Sequence, residues 1–366
     1  MGAYRIEQIT LLDPIRRQRM QTDISMEDGR IRGLGAPPSA GEQVIDGRGL
    51  YATCGWIDAH VHTYPHPKTL GVDPMSMLKD GVTAVVDAGT AGPGNFQDFY
   101  QNWLKKSPLR QKAYLNLAYM GISEGTVELQ DLSTVSLEAC RETAAAYPEV
   151  ILGFKLRIDP RVCHEPEKAL ALARKLGDET GKPFVVHASR STLPIDTILS
   201  YMRTGDIYAH TFAQKTPGIL DESGHLKPAV LEARARGVRF DLSHGNGNFS
   251  FSVAERALAQ GFLPDAISSD IHVRSKERVG SLALVMSKLM ACGADLWTVL
   301  ELVTGKAAAM LNLPEDCTVR VGHEANLTLF ELHEGAYSFT DSDGMPKMGA
   351  CLIAPKGAVL GEQVYL

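Results

Sequence analysis

Short apolar runs recur through the middle of the chain at intervals of roughly 20 to 40 residues. They are Trp56–His60, Thr83–Ala88, Ala113–Tyr119, Val150–Leu156, Pro183–His187, Ile207–His210, Val238–Leu242 and Ala266–Asp270. Helical patterns lie between them, at Ser136–Tyr147, Pro166–Thr180, Ile195–Arg203, Pro228–Arg236, Val253–Gln260 and Leu282–Cys292. Continuous apolar strands alternating with helices predict a parallel sheet covered on both faces. Eight such units predict an α/β fold, a closed (β/α)8 TIM-like barrel over residues 55–311. A doubly wound open sheet is the alternative. It would want a phosphate turn after an early strand, but Ala88–Gly94 does not match G-x-G-x-x-G, and Pro93 removes an amide donor.

The two ends read as strands broken by turns. Ile6–Leu12, Gln18–Met26 and Arg30–Leu34 are separated by Asp-Gly and Gly-Ala-Pro-Pro punctuation, which suggests hairpins. Strand-like runs return at Asn326–Leu332, Cys351–Ala354 and Ala358–Tyr365. Neither end carries enough core to stand alone. Residues 1–54 and 312–366 are therefore expected to pair into one small β-sandwich.

Composition narrows the class. The chain has 366 residues, of which 44% are hydrophobic and 22% charged, ample for a large core and too regular for disorder. A net charge of -6 argues against a nucleic-acid-binding surface. The six cysteines are scattered with no C-x-x-C pair, which fits reduced thiols in the cytoplasm. No signal peptide and no apolar run of ~18 residues is visible, so no membrane segment is expected.

The chemistry-bearing residues stand at the ends of the apolar runs, where a barrel collects its active site. His60 and His62 are two apart, so strand alternation puts them on one face. Asp58 shares that parity and could orient an imidazole. His187, His210 and Asp270 each close a later run. Any one of them is ordinarily a satisfied core residue or a cap. Together they form a set of imidazole and carboxylate donors suited to zinc or a related divalent ion. Lys155 interrupts an apolar strand in Gly153-Phe-Lys-Leu-Arg157. A buried ammonium needs a partner or must neutralise. It is either a salt bridge or a lysine carboxylated by CO2, whose two oxygens could bridge two cations.

In this order, Asp58-Ala-His-Val-His62, Lys155, His187, His210 and Asp270 resemble the amidohydrolase superfamily with a binuclear metal centre. The lead-in Gly55-Trp-Ile-Asp58 and the return Gly322-His-Glu-Ala-Asn-Leu-Thr-Leu-Phe330 are similar too, with Asn326 where Asp is usual. Thr304-Gly-Lys-Ala-Ala308 lacks the proline common before the alanine. Thr83–Thr90, Lys155-Leu-Arg157, His210-Thr-Phe212 and Asp241-Leu-Ser-His-Gly245 look like the dihydroorotase-like branch linked to deacetylation. The resemblance implies one metal on His60, His62 and Asp270, a second on His187 and His210, and carboxylated Lys155 bridging them.

It also implies a hydrolase that cleaves an amide or ester of a small carboxylate-bearing substrate by a metal-bridging hydroxide, with Asp270 as proton carrier. Deacetylation is favoured over cyclic-amide opening, because neither Asp241–Asn246 nor Ser268–Arg274 resembles the dihydroorotase substrate strand. Arg157, Ser189, His244 and His272 are the candidate substrate contacts, with a structural salt bridge the equal alternative for Arg157 and a turn role for His244; Tyr64 and His66 either line the pocket or shape the loop. A homo-oligomer is expected. A non-catalytic assembly subunit would typically have lost ligands, and a lyase or isomerase could use the same scaffold.

Overall fold

Seven of the apolar runs become strands of one parallel sheet, each beside its neighbour in sequence. The strands are Trp56–Val61, Val82–Ala88, Arg110–Asn116, Ile151–Arg157, Phe184–His187, Ile207–Ala209 and Arg239–Phe240. The computed structural model describes residues 2–65, 70–122, 128–313 and 317–366; His66 lies outside them. Every residue of Trp56–Val61 and Val82–Ala88 is buried, as a sheet covered on both faces requires. Phe154, Leu156, Phe184, Val186 and Phe240 join the large core under the helices. Ile57, Ala84, Val185 and Ile207 form a smaller core on the opposite face.

The eighth run departs from expectation. Residues 266–270 form no strand and are held by isolated bridges, Ala266 to Asp241 and Ile271 to Val61. Side chains take over from the ladder there. Asp58 accepts the Ser269 amide at 2.9 Å and the Ser269 hydroxyl at 2.5 Å. Ser268 Oγ donates to Asp241 Oδ1 at 2.6 Å. Polar side chains that bond nearby backbone and side-chain groups compete with regular pairing. The segment still links the last strand to the first.

The helix Pro166–Thr180 shows how local sequence sets an element. Pro166 pre-sets the first turn, and Gly181 ends the helix at φ 69°. Ala169, Leu170, Ala173, Leu176 and Gly177 make its buried stripe.

Strands from both termini share one eight-stranded sheet. Ala3–Asp13 pairs antiparallel with Gln18–Glu27, and Asn326–Thr340 with Tyr51–Cys54. The Asp28-Gly29 turn has positive φ at both residues, as a tight Asp-Gly hairpin needs. Ile6, Ile9, Ile24, Leu327 and Leu329 form the core of this unit. Asn326–Thr340 and Pro346–Leu360 are far longer than the runs expected there. Residues 333–336 are all exposed, so no apolar alternation marks that stretch. The tip of this long hairpin reaches back to the sheet's functional end, where Ser342 N donates to Phe249 O at 2.9 Å.

Candidate metal centre

Three imidazoles at the strand ends have their Nδ1 protons committed outward. His60 Nδ1 lies 3.3 Å from Asp241 Oδ2, an acceptor only, so the ring nitrogen donates. His210 Nδ1 donates to Ser243 O at 2.7 Å. Thr90 Oγ1 donates to Asp87 Oδ2, and therefore accepts from His62 Nδ1 at 2.7 Å. In each ring the remaining nitrogen, Nε2, is left with a lone pair.

Those lone pairs turn inward. His60 Nε2 and His62 Nε2 stand 3.6 and 3.3 Å from Asp270 Oδ1. His210 Nε2 stands 2.6 Å from His187 Nδ1. One donor atom each from His60, His210 and Asp270 lies within 4.8 Å of the others. The Nε2 lone pairs of His60 and His62 facing a carboxylate oxygen at this spacing, in a buried site, are what a cation would reconcile. On that test the residues fit divalent metal.

Backbone strain helps aim the set. Alternation alone would send His210 to the helix face, since Ala209 belongs to the inner core. Its φ of 64° turns it back; Asp270, outside any strand, also holds a positive φ of 48°. Non-glycine residues rarely hold this conformation without compensation elsewhere. Lys155 needs no such device, because it lies between outward-facing Phe154 and Leu156.

Burial sets the electrostatics. It lowers His60, pulls His187 well below the usual imidazole range, and brings His210 to about 3, so these rings are neutral. Lys155 is 1% exposed, and its Nζ lies 3.2 Å from His60 Nε2. Burial brings its amine down to about 8, with Asp270 opposing and Arg157 reinforcing. Among the described residues no carboxylate forms an ion pair with it. Gly89 lies against the lysine stem, where an added Cβ would come within 2.5 Å of Lys155 Cβ.

Five of the six expected ligands line one cleft, and His210 stands behind them against His187. The cleft lining includes His60, His62, Lys155, His187 and Asp270, with Arg157, Ser189 and His272 farther out. Ser189 Oγ is buried without a hydrogen-bond partner among the described residues. Arg157 Nη1 binds Glu128 Oε1 at 3.0 Å, the salt bridge weighed for it, to a partner the sequence did not identify. Burial raises the Glu128 carboxyl above its ordinary value.

Three expectations change. His244 does not line the cleft. Its ring stacks on Phe249 and meets Lys288 Nζ at 2.9 Å, with Ser243 and Gly245 at positive φ on either side. Tyr64 is buried away from the cleft, donating to Asp98 at 2.8 Å. Asp58 ties down Ser269 rather than orienting an imidazole; that task falls to Asp241. The signal for Asp241 was present as a lone carboxylate after Val238-Arg-Phe240.

No family model matches the chain. A protein named deacetylase from Enterococcus faecalis is 32% identical over 360 residues, covering 94% of this chain and 95% of its own. A solved structure described as an adenine deaminase superposes with a TM-score of 0.89 at 30% identity, over 100% of both chains. Another, described as a dihydroorotase, gives 0.89 and 30%, over 100% of this chain and 97% of its own.

Proposed function

Given that the chain belongs to the amidohydrolase superfamily, we propose that it is a binuclear, metal-dependent deacetylase of small carboxylate-bearing substrates. His60, His62 and Asp270 would hold one divalent ion, and His187 and His210 a second. Lys155, carboxylated by CO2, would bridge them. The imidazole-rich donor set favours zinc. The single observation that carries this reading is the pair of inward Nε2 lone pairs, on His60 and His62, facing Asp270. The lowered Lys155 pKa supports carboxylation, since only the neutral amine reacts with CO2.

When bound, the ions supply Lewis acidity toward the acyl carbonyl and lower the pKa of water. Asp270 Oδ accepts the proton of the attacking water and returns it to the leaving nitrogen or oxygen. The acyl C–N or C–O bond breaks, and acetate and a free amine or alcohol leave. Arg157 grips the substrate carboxylate, its guanidinium already oriented by Glu128. Ser189 and His272 make further contacts; Ser189 Oγ has no other partner among the described residues.

The architecture proposed for this chemistry is a (β/α)8 barrel over 55–311, closed through residues 266–271. Residues 1–54 and 312–366 form the small β-sandwich unit. The bridges from Ala266 and Ile271 support closure. Among the described residues no helix is long and apolar enough to cross a membrane. Among the described residues the six cysteines form no disulfide, which supports work in the cytoplasm; a homo-oligomer is part of the same proposal.

Cyclic-amide opening is the second reading, favoured by the superposition on the dihydroorotase structure at a TM-score of 0.89. Acetate release from a panel of N-acetyl amino acids and O-acetyl hydroxy acids, with dihydroorotate alongside, separates the two. Acetate release from at least one class supports deacetylation. Turnover of dihydroorotate alone would overturn it.

A further inference from the structure

The cleft is much more cationic than the chain around it. Six cationic side chains line it outside the proposed ligands, against only two carboxylates, Asp159 and Asp343, in a chain of net charge -6. Two of the cations are neutralised. Arg157 pairs with Glu128 at 3.0 Å, and Arg161 forks onto Asp159 at 2.5 to 3.1 Å.

Three others are not. Arg190 makes no side-chain hydrogen bond or ion pair among the described residues. Lys215 Nζ donates to the carbonyl of Gly247. Arg278 Nη1 donates to the carbonyls of Asn246 at 3.3 Å and Ser342 at 2.7 Å. Carbonyl oxygens satisfy donors but leave the charge uncompensated. Lys215 and Arg278 hold adjacent carbonyls of one loop, so their charged heads are neighbours. The Lys215 amine is lowered by burial first and by Arg190 next, with Arg161 and Arg278 adding to it and Asp343 opposing. Mutually repelling cations in a concave wall make a standing field for an anion, and guanidinium forks match carboxylate or phosphate geometry.

Among the described residues none of these three side chains bonds Arg157 or its partner Glu128. Arg157 leaves the strand that carries Lys155, whereas Arg190, Lys215 and Arg278 stand on later segments of the chain toward the Asp341–Gly344 hairpin tip. A monoacid held by Arg157 would leave the second group unused.

We propose that the substrate carries two anionic groups, one for Arg157 and a second, carboxylate or phosphate, for Arg190, Lys215 and Arg278. This rests on the acyl-hydrolase reading of the same cleft and narrows its substrate class to acylated dianions.

The test compares matched substrates that differ by one charge. N-acetylaspartate is set against N-acetylasparagine, N-acetylglutamate against N-acetylglutamine, and N-acetylphosphoserine against N-acetylserine. For at least one pair kcat/KM should favour the dianion by about tenfold or more at low salt, with the preference shrinking as ionic strength rises. Which pair shows it distinguishes carboxylate from phosphate. Arg190→Gln and Lys215→Gln should each cut that preference several-fold, while Arg141→Gln, on an exposed helix, should leave it intact. Arg278→Gln also removes a backbone anchor, so the other two variants carry the test. Calorimetric titration of the metal-loaded protein with the same pairs gives a second readout. Tighter binding of a dianion without hydrolysis would keep the subsite and defeat the deacetylase reading. Equal kcat/KM and equal binding within each pair, or a preference unmoved by both variants, would overturn the proposal.

Discussion

Asp241 Oδ2 stands 3.3 Å from His60 Nδ1, and that contact decides which imidazole nitrogen keeps its proton. Asp241 is itself held by Ser268 Oγ at 2.6 Å and by the Ser243 hydroxyl. The carboxylate therefore accepts, and His60 presents Nε2 as a lone pair to the cluster.

Asp241→Asn keeps the size and removes the obligation to accept. Its amide can donate to Nδ1 and move the ring proton to Nε2. Apparent metal affinity should fall by roughly 10- to 100-fold with little change in the far-ultraviolet spectrum. Chelator competition followed by metal analysis checks this. Unchanged affinity would show that the tautomer is set elsewhere.

Asp270→Asn removes the proton carrier and one donor. Turnover should drop by at least about a hundredfold while the thermal transition stays cooperative. Steady-state kinetics on an accepted acyl substrate is the readout. Near-wild-type kcat would sink the role given to Asp270.

Gly89→Ala probes the packing of Lys155. The new Cβ would stand 2.5 Å from Lys155 Cβ, at a φ of 84° that alanine resists. Overpacking of this kind costs about 1–3 kcal/mol. Calorimetric unfolding should show a lower Tm, and the bound metal should fall with it. A variant with unchanged Tm and metal content would mean that Lys155 has room to move.

Lys288 gives a pH-dependent prediction away from the metal site. It is 2% exposed, and burial holds its amine at about 8, below the ordinary 10.5. Between these values the unfolded chain binds the proton and the folded chain does not. Folding stability therefore rises with pH across this window. Below about 8 the charged amine costs stability; above 10.5 the cost is gone. The stability of the wild type minus that of Lys288→Met should increase from pH 8 to 10.5, by up to about 3 kcal/mol. Denaturant melts of both proteins across that range would show it. A flat difference would contradict it.

The strand-and-helix alternation was legible because both faces of the central strands are buried, leaving unbroken apolar runs. The proposed ligand residues stood out because each imidazole or carboxylate closes such a run and Lys155 interrupts one. The eighth segment was overread. Ser268 and Ser269 look compatible with a strand, but their hydroxyls bond Asp241 and Asp58 across the structure. His244 was misassigned for a related reason: proximity to Asp270 in the fold does not say which way a ring turns at a residue flanked by positive φ. Glu128 could not be found, because its link to Arg157 joins residues 29 apart with no periodic relation. The long hairpin arm was invisible where its side chains face water.

The most direct measurement is divalent metal per chain, by inductively coupled plasma mass spectrometry on protein prepared without chelator. Near two ions per chain is expected, falling toward one in Lys155→Ala and recovering little with bicarbonate. No metal in the wild type, even after zinc and bicarbonate are added, would contradict the binuclear centre on which the proposed hydrolysis depends.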